Sequence, residues 1–344
     1  MPRLLAPLSE LVAAVTARRV ARSGWRAPVP VICAGNVTVG GAGKTTVALD
    51  LAHRLVSRGV AVHVLLRGYG GSVRGPRRVG PDDPASLVGD EALLLARVAP
   101  TWIGADRAAS AREAVAAGAG VLLLDDGLQN PTLAKDLSLL VIDGASGFGN
   151  GRVLPAGPLR EPVAAGAARC QAAVLIGPDL TGAAARLPPD LPVLRARLVQ
   201  GPEIEALRGR RALAFAGIAR PEKFFAPLAE AGVILAGRVA FPDHHAFGVR
   251  DLDALAAQAA RLDAILVTTP KDAVRLSPAM RSRVQVVGVG LVWEDEAAAE
   301  RILLLPLPLR EGVGGKGRWE SASEPGASPG GPPPPNPIPQ GEGE

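Results

Sequence analysis

Apolar residues along this chain fall into two rhythms. Short unbroken runs of aliphatic and β-branched residues occupy 29–34, 60–66, 121–124, 137–143 and 172–176. Such runs read as strands covered on both faces. Between them the spacing lengthens to three and four, as at Val47, Leu51 and Leu55, or across 92–98 and 107–117. That is the period of helices with one buried face. The alternation predicts an α/β fold with a parallel sheet. The pattern restarts at 212–216 as a strand, then a helix opened by Pro221, a strand at 233–235, a helix over 249–261 and strands at 265–268 and 284–289. This predicts a second α/β layer with its own sheet, with a boundary in the Pro-rich, charged stretch 185–210.

The expected organisation has four parts: an N-terminal amphipathic helix in 1–28, a phosphate-loop domain over 29–190, a second, smaller Rossmann-like domain over 191–310, and a disordered tail over 311–344. The tail is rich in Gly, Pro, Ser and Glu and includes four consecutive prolines, Pro332 to Pro335, a composition too poor in apolar residues to fold. Within 4–20, an apolar segment ends in Arg18, Arg19, Arg22 and Arg26. It is too short and interrupted to span a bilayer and lacks the form of a signal peptide. Two readings fit it: a helix lying on an anionic membrane surface, or a helix packed on its own domain.

The stretch that organises the chain is VPVICAGNVTVGGAGKTTVALD, residues 29–50. A strand breaks into glycines, then Lys44, Thr45 and Thr46 open a helix. Glycine lets backbone N–H groups turn inward on an anion, and the helix N-terminus adds positive potential. Residues Thr38, Val39, Gly40, Gly41, Ala42, Gly43, Lys44, Thr45 and Thr46 are therefore the expected nucleotide cradle. Lys44 would reach the outer phosphates and Thr45 would ligate Mg²⁺. Thr38 stands where the strict motif has glycine. Downstream, Val121 to Leu124 deliver Asp125 and Asp126 to a strand end, where a phosphate-loop protein keeps its Mg²⁺-side carboxylate. The expected cofactors are ATP and Mg²⁺.

Composition narrows the class. The 344 residues are 48% hydrophobic with only 3% aromatic, so the core is built of Ala, Leu and Val. Two cysteines, Cys33 and Cys170, make no disulfide framework and fit a reducing cytoplasm. A net charge of +5 suits an anionic lipid, a phosphorylated substrate or nucleic acid, or a general drift towards Arg. The drift makes rare residues informative: Lys occurs only at 44, 135, 223, 271 and 316, and His only at 53, 63, 244 and 245. A guanine-reading Asn-Lys-x-Asp is missing, which weighs against a GTPase. A kinase needs a base for its acceptor hydroxyl, and Asp90 with Glu91, or His244 and His245 beside Asp243, are the candidates. The plainer role for Asp90 is a helix cap.

With these residues in place, the chain resembles the tetraacyldisaccharide 4'-kinase family of lipid A biosynthesis. The resemblance rests on GNVTVGGAGKT, RGYGG, GDEALLLA, GADR, DDGLQ, GNGRVLPAGPLREP, AFAGIARPEKFF, FPDHHAF and TTPKDAVRL, in family order from about residue 5 to 305. It implies two α/β/α sandwich domains with the active site in the cleft, and an N-terminal helix that seats the enzyme on the cytoplasmic face of the bacterial inner membrane. It also implies transfer of the ATP γ-phosphate to the 4'-hydroxyl of a lipid A disaccharide 1-phosphate, with no nucleic-acid partner. Carried over by position, Asp90 is the catalytic carboxylate, His244 its partner and Lys44 the phosphate lysine. Thr45, Asp125 and Asp126 organise Mg²⁺. Tyr69, Glu91, Arg107, Gln129, Arg160 and Glu161 are expected to meet substrate. Thr46 and Pro270 depart from the family pattern, which commonly has Pro and Glu there. Two other classes stay open: a phosphate-loop ATPase or GTPase that moves a partner, and a non-enzymatic basic protein bound to membrane or nucleic acid.

Overall fold

The computed structural model describes residues 5–303. The chain opens on helix α1 (Ala6–Val20), followed by β1 (Val31–Gly35), α2 (Lys44–Ser57), β2 (Val62–Leu66), β3 (Arg77–Arg78) and α3 (Ala85–Val88). Then come α4 (Asp90–Ala96), β4 (Thr101–Ile103), α5 (Arg107–Ala116), β5 (Val121–Asp125), β6 (Leu137–Asp143), α6 (Val163–Ala167), β7 (Ala172–Ile176) and β8 (Val193–Gln200). The rest comprises β9 (Arg211–Ala216), α7 (Glu222–Glu230), β10 (Ile234–Ala240), α8 (Val249–Arg261), β11 (Ile265–Thr268), α9 (Pro270–Ala273), α10 (Pro278–Arg281), β12 (Gln285–Val286), β13 (Val289–Trp293) and α11 (Glu296–Leu303).

Nine strands form one sheet in the order β13-β8-β7-β6-β1-β5-β2-β4-β3. From β8 to β4 every pair is parallel, and antiparallel β13 and β3 close the edges. Alternate residues of a strand face opposite sides. Ile32 and Ala34 of β1 therefore join the core beneath α2, with Val47, Ala48, Leu51 and Leu55. Val31 and Cys33 join the opposite core with Ala111 and Ala114 of α5. Each such leucine contributes about 1.5–3 kcal/mol by leaving water. The order reverses at β1, which pairs with β5 on one side and β6 on the other. The strand ends at such a reversal open a crevice, the usual ligand site of doubly wound sheets.

The second sheet, β10-β9-β11-β12, is wholly parallel. Ala212, Ala214 and Ala216 of β9 meet Phe224, Phe225 and Leu228 of α7 on one face. Leu213 and Phe215 meet Leu252, Leu255 and Ala259 of α8 on the other. Both sheets are thus sandwiched between helices, as the sequence pattern implies.

The path between the sheets differs from expectation. The stretch expected as a linker contains β8, a strand of the large sheet. The apolar run at 284–289 is also divided: Gln285 and Val286 pair with β11, whereas β13 crosses back to lie antiparallel to β8. Arg195 and Arg197 gave β8 the look of solvated linker, because alternate positions on this near-edge strand are exposed. The small sheet is therefore an excursion from the large one, with both ends anchored there. The expected tail over 311–344 lies outside the described residues.

Helix α1 turns its small polar residues inward. Ser9 and Thr16 are buried, and the Ser9 hydroxyl accepts from the Ala156 N–H at 3.2 Å. Val12 and Ala13 pack on the large-sheet core. Leu8, Leu11 and Val15 point outward, 51–60% exposed. Among the described residues no helix is long and apolar enough to cross a membrane.

Candidate active site

The phosphate loop leaves β1 and re-enters the fold as α2. Gly43 is the N-cap of α2 with a left-handed backbone (φ 88°), and a Cβ there would lie 2.6 Å from Ile176 Cδ1. No other residue fits without strain. The Gly/Pro-rich segment 144–162 straps the outer side of the loop. Val39 N–H donates to the Pro158 carbonyl at 2.8 Å and Arg160 N–H to the Val37 carbonyl at 2.7 Å. Asn36 donates to the Thr38 hydroxyl at 2.9 Å. This strap brings Arg160, remote in sequence, to the mouth of the loop.

Behind the loop, the Thr45 hydroxyl donates to Asp125 Oδ2 at 2.9 Å. Asp125 Oδ1 is buried with no hydrogen-bond partner among the described residues. Burial, with the charges of Glu91 and Asp126, pushes the Asp125 carboxyl up to about 7. A buried acid short of positive charge, beside a hydroxyl, suits a divalent cation that keeps most of its other ligands from water and phosphate. Asp126 is differently engaged. Its backbone is left-handed (φ 58°), and both its oxygens accept from Arg160, at 2.8 and 3.0 Å. Lys44 Nζ stands 3.7 Å from it. Lys44, Thr45, Asp125, Asp126 and Arg160 thus form one cluster.

Three expected substrate residues face inward. Glu161 is 2% exposed, and its oxygens accept from Arg169 at 2.7 and 2.8 Å and from Gln129 at 2.8 Å. Gln129 also donates to the Asn36 carbonyl at 2.7 Å. The pair holds the base of the strap rather than presenting side chains to an acceptor. Arg107 opens α5, is buried, and donates to the Gly104 carbonyl. Burial lowers its guanidinium to about 10, and its Nε has no partner among the described residues.

The second cluster joins the two sheets. Gly89, in a backbone only glycine adopts freely (φ 89°), starts α4 so closely against the Tyr69 carbonyl that a Cβ would sit 2.5 Å from it. Asp90 is then the first residue of the helix, and its Oδ1 accepts from the Glu91 N–H at 2.9 Å. Its other oxygen, Oδ2, lies 2.9 Å from His244 Nδ1, on the loop after β10. Arg275 Nε approaches the same oxygen at 3.4 Å. Lys271 Nζ stands 3.9 Å from Asp90, 3.8 Å from Glu91 and 3.7 Å from Asp243. His244 is itself left-handed (φ 59°), and the exposed Tyr69 ring lies 5.7 Å from its imidazole. Non-glycine residues held this way are uncommon and gather at functional sites. His245 turns away, 3.0 Å from Asp251 and stacked on Phe241. Burial and the Asp90 charge raise Glu91, while Lys271, Lys44 and His244 oppose the rise. The charges of both clusters therefore meet at Glu91.

A model of the Tetraacyldisaccharide-1-P 4'-kinase family matches residues 1–306. The chain belongs to this family. A tetraacyldisaccharide 4'-kinase of Gluconacetobacter diazotrophicus is 63% identical over 88% of this chain and 92% of the relative. One of Rhodospirillum centenum is 55% identical over 87% and 90%. The crystal structure of LpxK from Aquifex aeolicus in complex with ATP is similar with a TM-score of 0.70, at 25% identity, over 88% of this chain and 98% of that one.

In this family member, Lys271, Arg275, Asn36 and Arg169 were not among the residues singled out from sequence. Lys271 carried a usable signal, since it is one of only five lysines. So did Lys223, which with Arg220 grips Asp143 at the end of β6, at 2.8 and 2.5 Å. Arg220 also donates to the Gly41 carbonyl of the phosphate loop at 3.0 Å.

Proposed function

We propose that the protein transfers the γ-phosphate of ATP to the 4'-hydroxyl of a tetraacyldisaccharide 1-phosphate, the kinase step its family carries in lipid A biosynthesis. The observation that carries the reading is the 2.9 Å contact between Asp90, on the large-sheet layer, and His244, on the small-sheet layer. Neither a partner-moving ATPase nor a scaffold needs a carboxylate–imidazole pair assembled across the cleft beside a phosphate loop.

Backbone N–H groups of residues 38–46, Lys44 and Arg160 hold the triphosphate, placing fixed positive charge where the transferring phosphoryl gathers it. Mg²⁺, held by Thr45 and Asp125, would neutralise phosphate oxygens when bound with the nucleotide. Asp126, tied to Arg160 and near Lys44, sets the direction of both cations. Asp90 accepts the proton of the 4'-hydroxyl as the oxygen attacks, and His244 orients the carboxylate. Tyr69 and Glu91 stand at the rim, where a sugar would rest. Closure of the two layers over the substrates excludes water, which would otherwise compete as acceptor.

The exposed Leu8, Leu11 and Val15 supply the seat on the membrane. An apolar row turned to solvent on a helix ending in Arg18 and Arg19 suits the boundary between acyl chains and anionic headgroups. We place the enzyme on the cytoplasmic face of the inner membrane, where a lipid acceptor and cytosolic ATP coexist. The test is incubation with γ-labelled ATP, Mg²⁺ and the acylated disaccharide 1-phosphate. Label entering the lipid supports the reading. Hydrolysis that ignores the lipid supports the ATPase alternative.

A further inference from the structure

We infer that Lys271 is a positioning residue that holds His244 as the neutral imidazole with its proton on Nδ1, leaving Asp90 as the group able to take the acceptor's proton. This rests on the kinase reading above and goes beyond it.

The two ring nitrogens of His244 face opposite kinds of partner. Nδ1 lies 2.9 Å from Asp90 Oδ2, an oxygen also approached by Arg275 Nε at 3.4 Å. Nε2 lies 3.4 Å from Lys271 Nζ. An ionised carboxylate only accepts and an ammonium only donates. One protonation state satisfies both contacts: a proton on Nδ1 donated to Asp90, and a lone pair on Nε2 that accepts from the Lys271 ammonium. An imidazolium would set an N–H against the ammonium. The other neutral tautomer would set two lone pairs of electrons against each other at Asp90 and two donors against each other at Lys271.

The other charges around the ring leave this balance in place. Asp243 Oδ2 lies 3.8 Å from Nε2 and would favour a second proton there. Lys271 also reaches Asp243 Oδ1 at 3.7 Å, so the ammonium offsets that pull. Glu91 is held 3.8 Å from the same ammonium, and Tyr69 presents a ring face 5.7 Å away. Lys271 is well placed for the task. Thr269 caps α9 through the Asp272 N–H at 3.0 Å. The fully buried Asp272 accepts from the Gly217 N–H at 2.9 Å, which fixes the turn carrying Lys271 to the end of β9.

With Nε2 occupied and Nδ1 already protonated, His244 has no site for the hydroxyl proton. The proton goes from the 4'-oxygen to Asp90, whose negative charge it neutralises, while the O–P bond forms and ADP leaves. Without the ammonium, Nε2 is open to a proton among three carboxylates. The imidazolium so formed would weaken Asp90 as a base.

Two measurements test this on the full-length enzyme. The first is long-range ¹H–¹⁵N correlation of the four histidines, with His244 assigned through His244→Gln. The expected wild-type spectrum at pH 8 shows His244 protonated on Nδ1 alone; a proton on Nε2 overturns the inference. The second is the pH dependence of kcat for Lys271→Met and Lys271→Arg. Lys271→Met should lose about 10-fold or more at pH 6.5 and regain most of it, relative to wild type, at pH 9, with KM for ATP within about twofold. Lys271→Arg, which keeps the charge, should keep the wild-type profile. A uniform loss at every pH, or none, overturns the inference. The imidazole spectrum is read without turnover, so failure of the kinase reading and failure of this one are distinguishable.

Discussion

Replacing Asp90 with asparagine separates the two roles open to it. A helix-capping aspartate tolerates asparagine almost unchanged. A general base does not, because the amide cannot accept a proton. The amide would keep an oxygen for the His244 Nδ1–H, so the ring should stay where it is. Arg275 would keep its bonds to the His245 and Gly217 carbonyls, both at 3.0 Å, and its contact with Asp272 at 3.3 Å. The cost in stability should therefore stay at about 1.5–3 kcal/mol, the value of one charged hydrogen bond. Loss of the base should lower kcat about 100- to 10,000-fold, or about 3–5 kcal/mol of barrier at 1.36 kcal/mol per decade. KM for ATP should move little, because the phosphate loop is untouched. The assay is steady-state transfer of label from ATP to the disaccharide, beside a thermal melt. A folded Asp90→Asn enzyme with kcat within about threefold of wild type would refute the assignment and leave Asp90 a structural residue of α4.

Other perturbations probe the remaining parts. Arg160→Lys keeps the charge but loses the fork that meets both oxygens of Asp126; kcat/KM should fall about 10-fold or more, read in the same assay. Replacing Leu8, Leu11 and Val15 together with serine should reduce sedimentation with anionic vesicles while lowering the melting temperature by no more than about 2–4 °C, since these side chains are more than half exposed. Asp143 sits below the usual carboxylate range: burial pushes it up, but hydrogen bonds from Lys223 and Arg220 outweigh that. A lowered folded-state value means the clasp stabilises above about pH 4 and fades as acid protonates it. The gap in melting temperature between wild type and Asp143→Asn should therefore be open at pH 7 and shrink towards pH 3.

The phosphate loop and the strand-end aspartates were legible because their chemistry is local: strand, glycines, Lys-Thr and helix occur within one stretch of chain. The Asp90–His244 pair was reached through family resemblance; in the fold His244 lies against Asp90, whereas His245 lies against Asp251. What escaped was set by long-range pairing. Exposed Arg195 and Arg197 masked β8, which pairs parallel with β7 and is covered on its other side by β13 from some ninety positions further on. Glu161 and Gln129 look like ligand residues in a polar loop, yet Glu161 accepts from both Arg169 and Gln129, and Gln129 reaches on to the Asn36 carbonyl. Lys271 was noted in the sequence as a rare lysine beside a departing proline, with no role given to it, and its meaning appears once Asp90, Glu91, Asp243 and His244 surround it.

The route of the chain carries a last implication. Gln200 and Val289 are directly paired, and Gly201 N–H reaches the Gly288 carbonyl at 2.8 Å, so everything in 201–288 hangs from the mouth of a hairpin. Replacing that cassette by a two-residue Asn-Gly turn would join two strands already side by side. The trimmed protein should still grip nucleotide and have nothing to steady its base. Such a graft point suggests how a generic nucleotide binder could acquire a sugar-alcohol specificity in a single insertion, and it separates the half of the enzyme that holds the phosphate from the half that chooses where it goes.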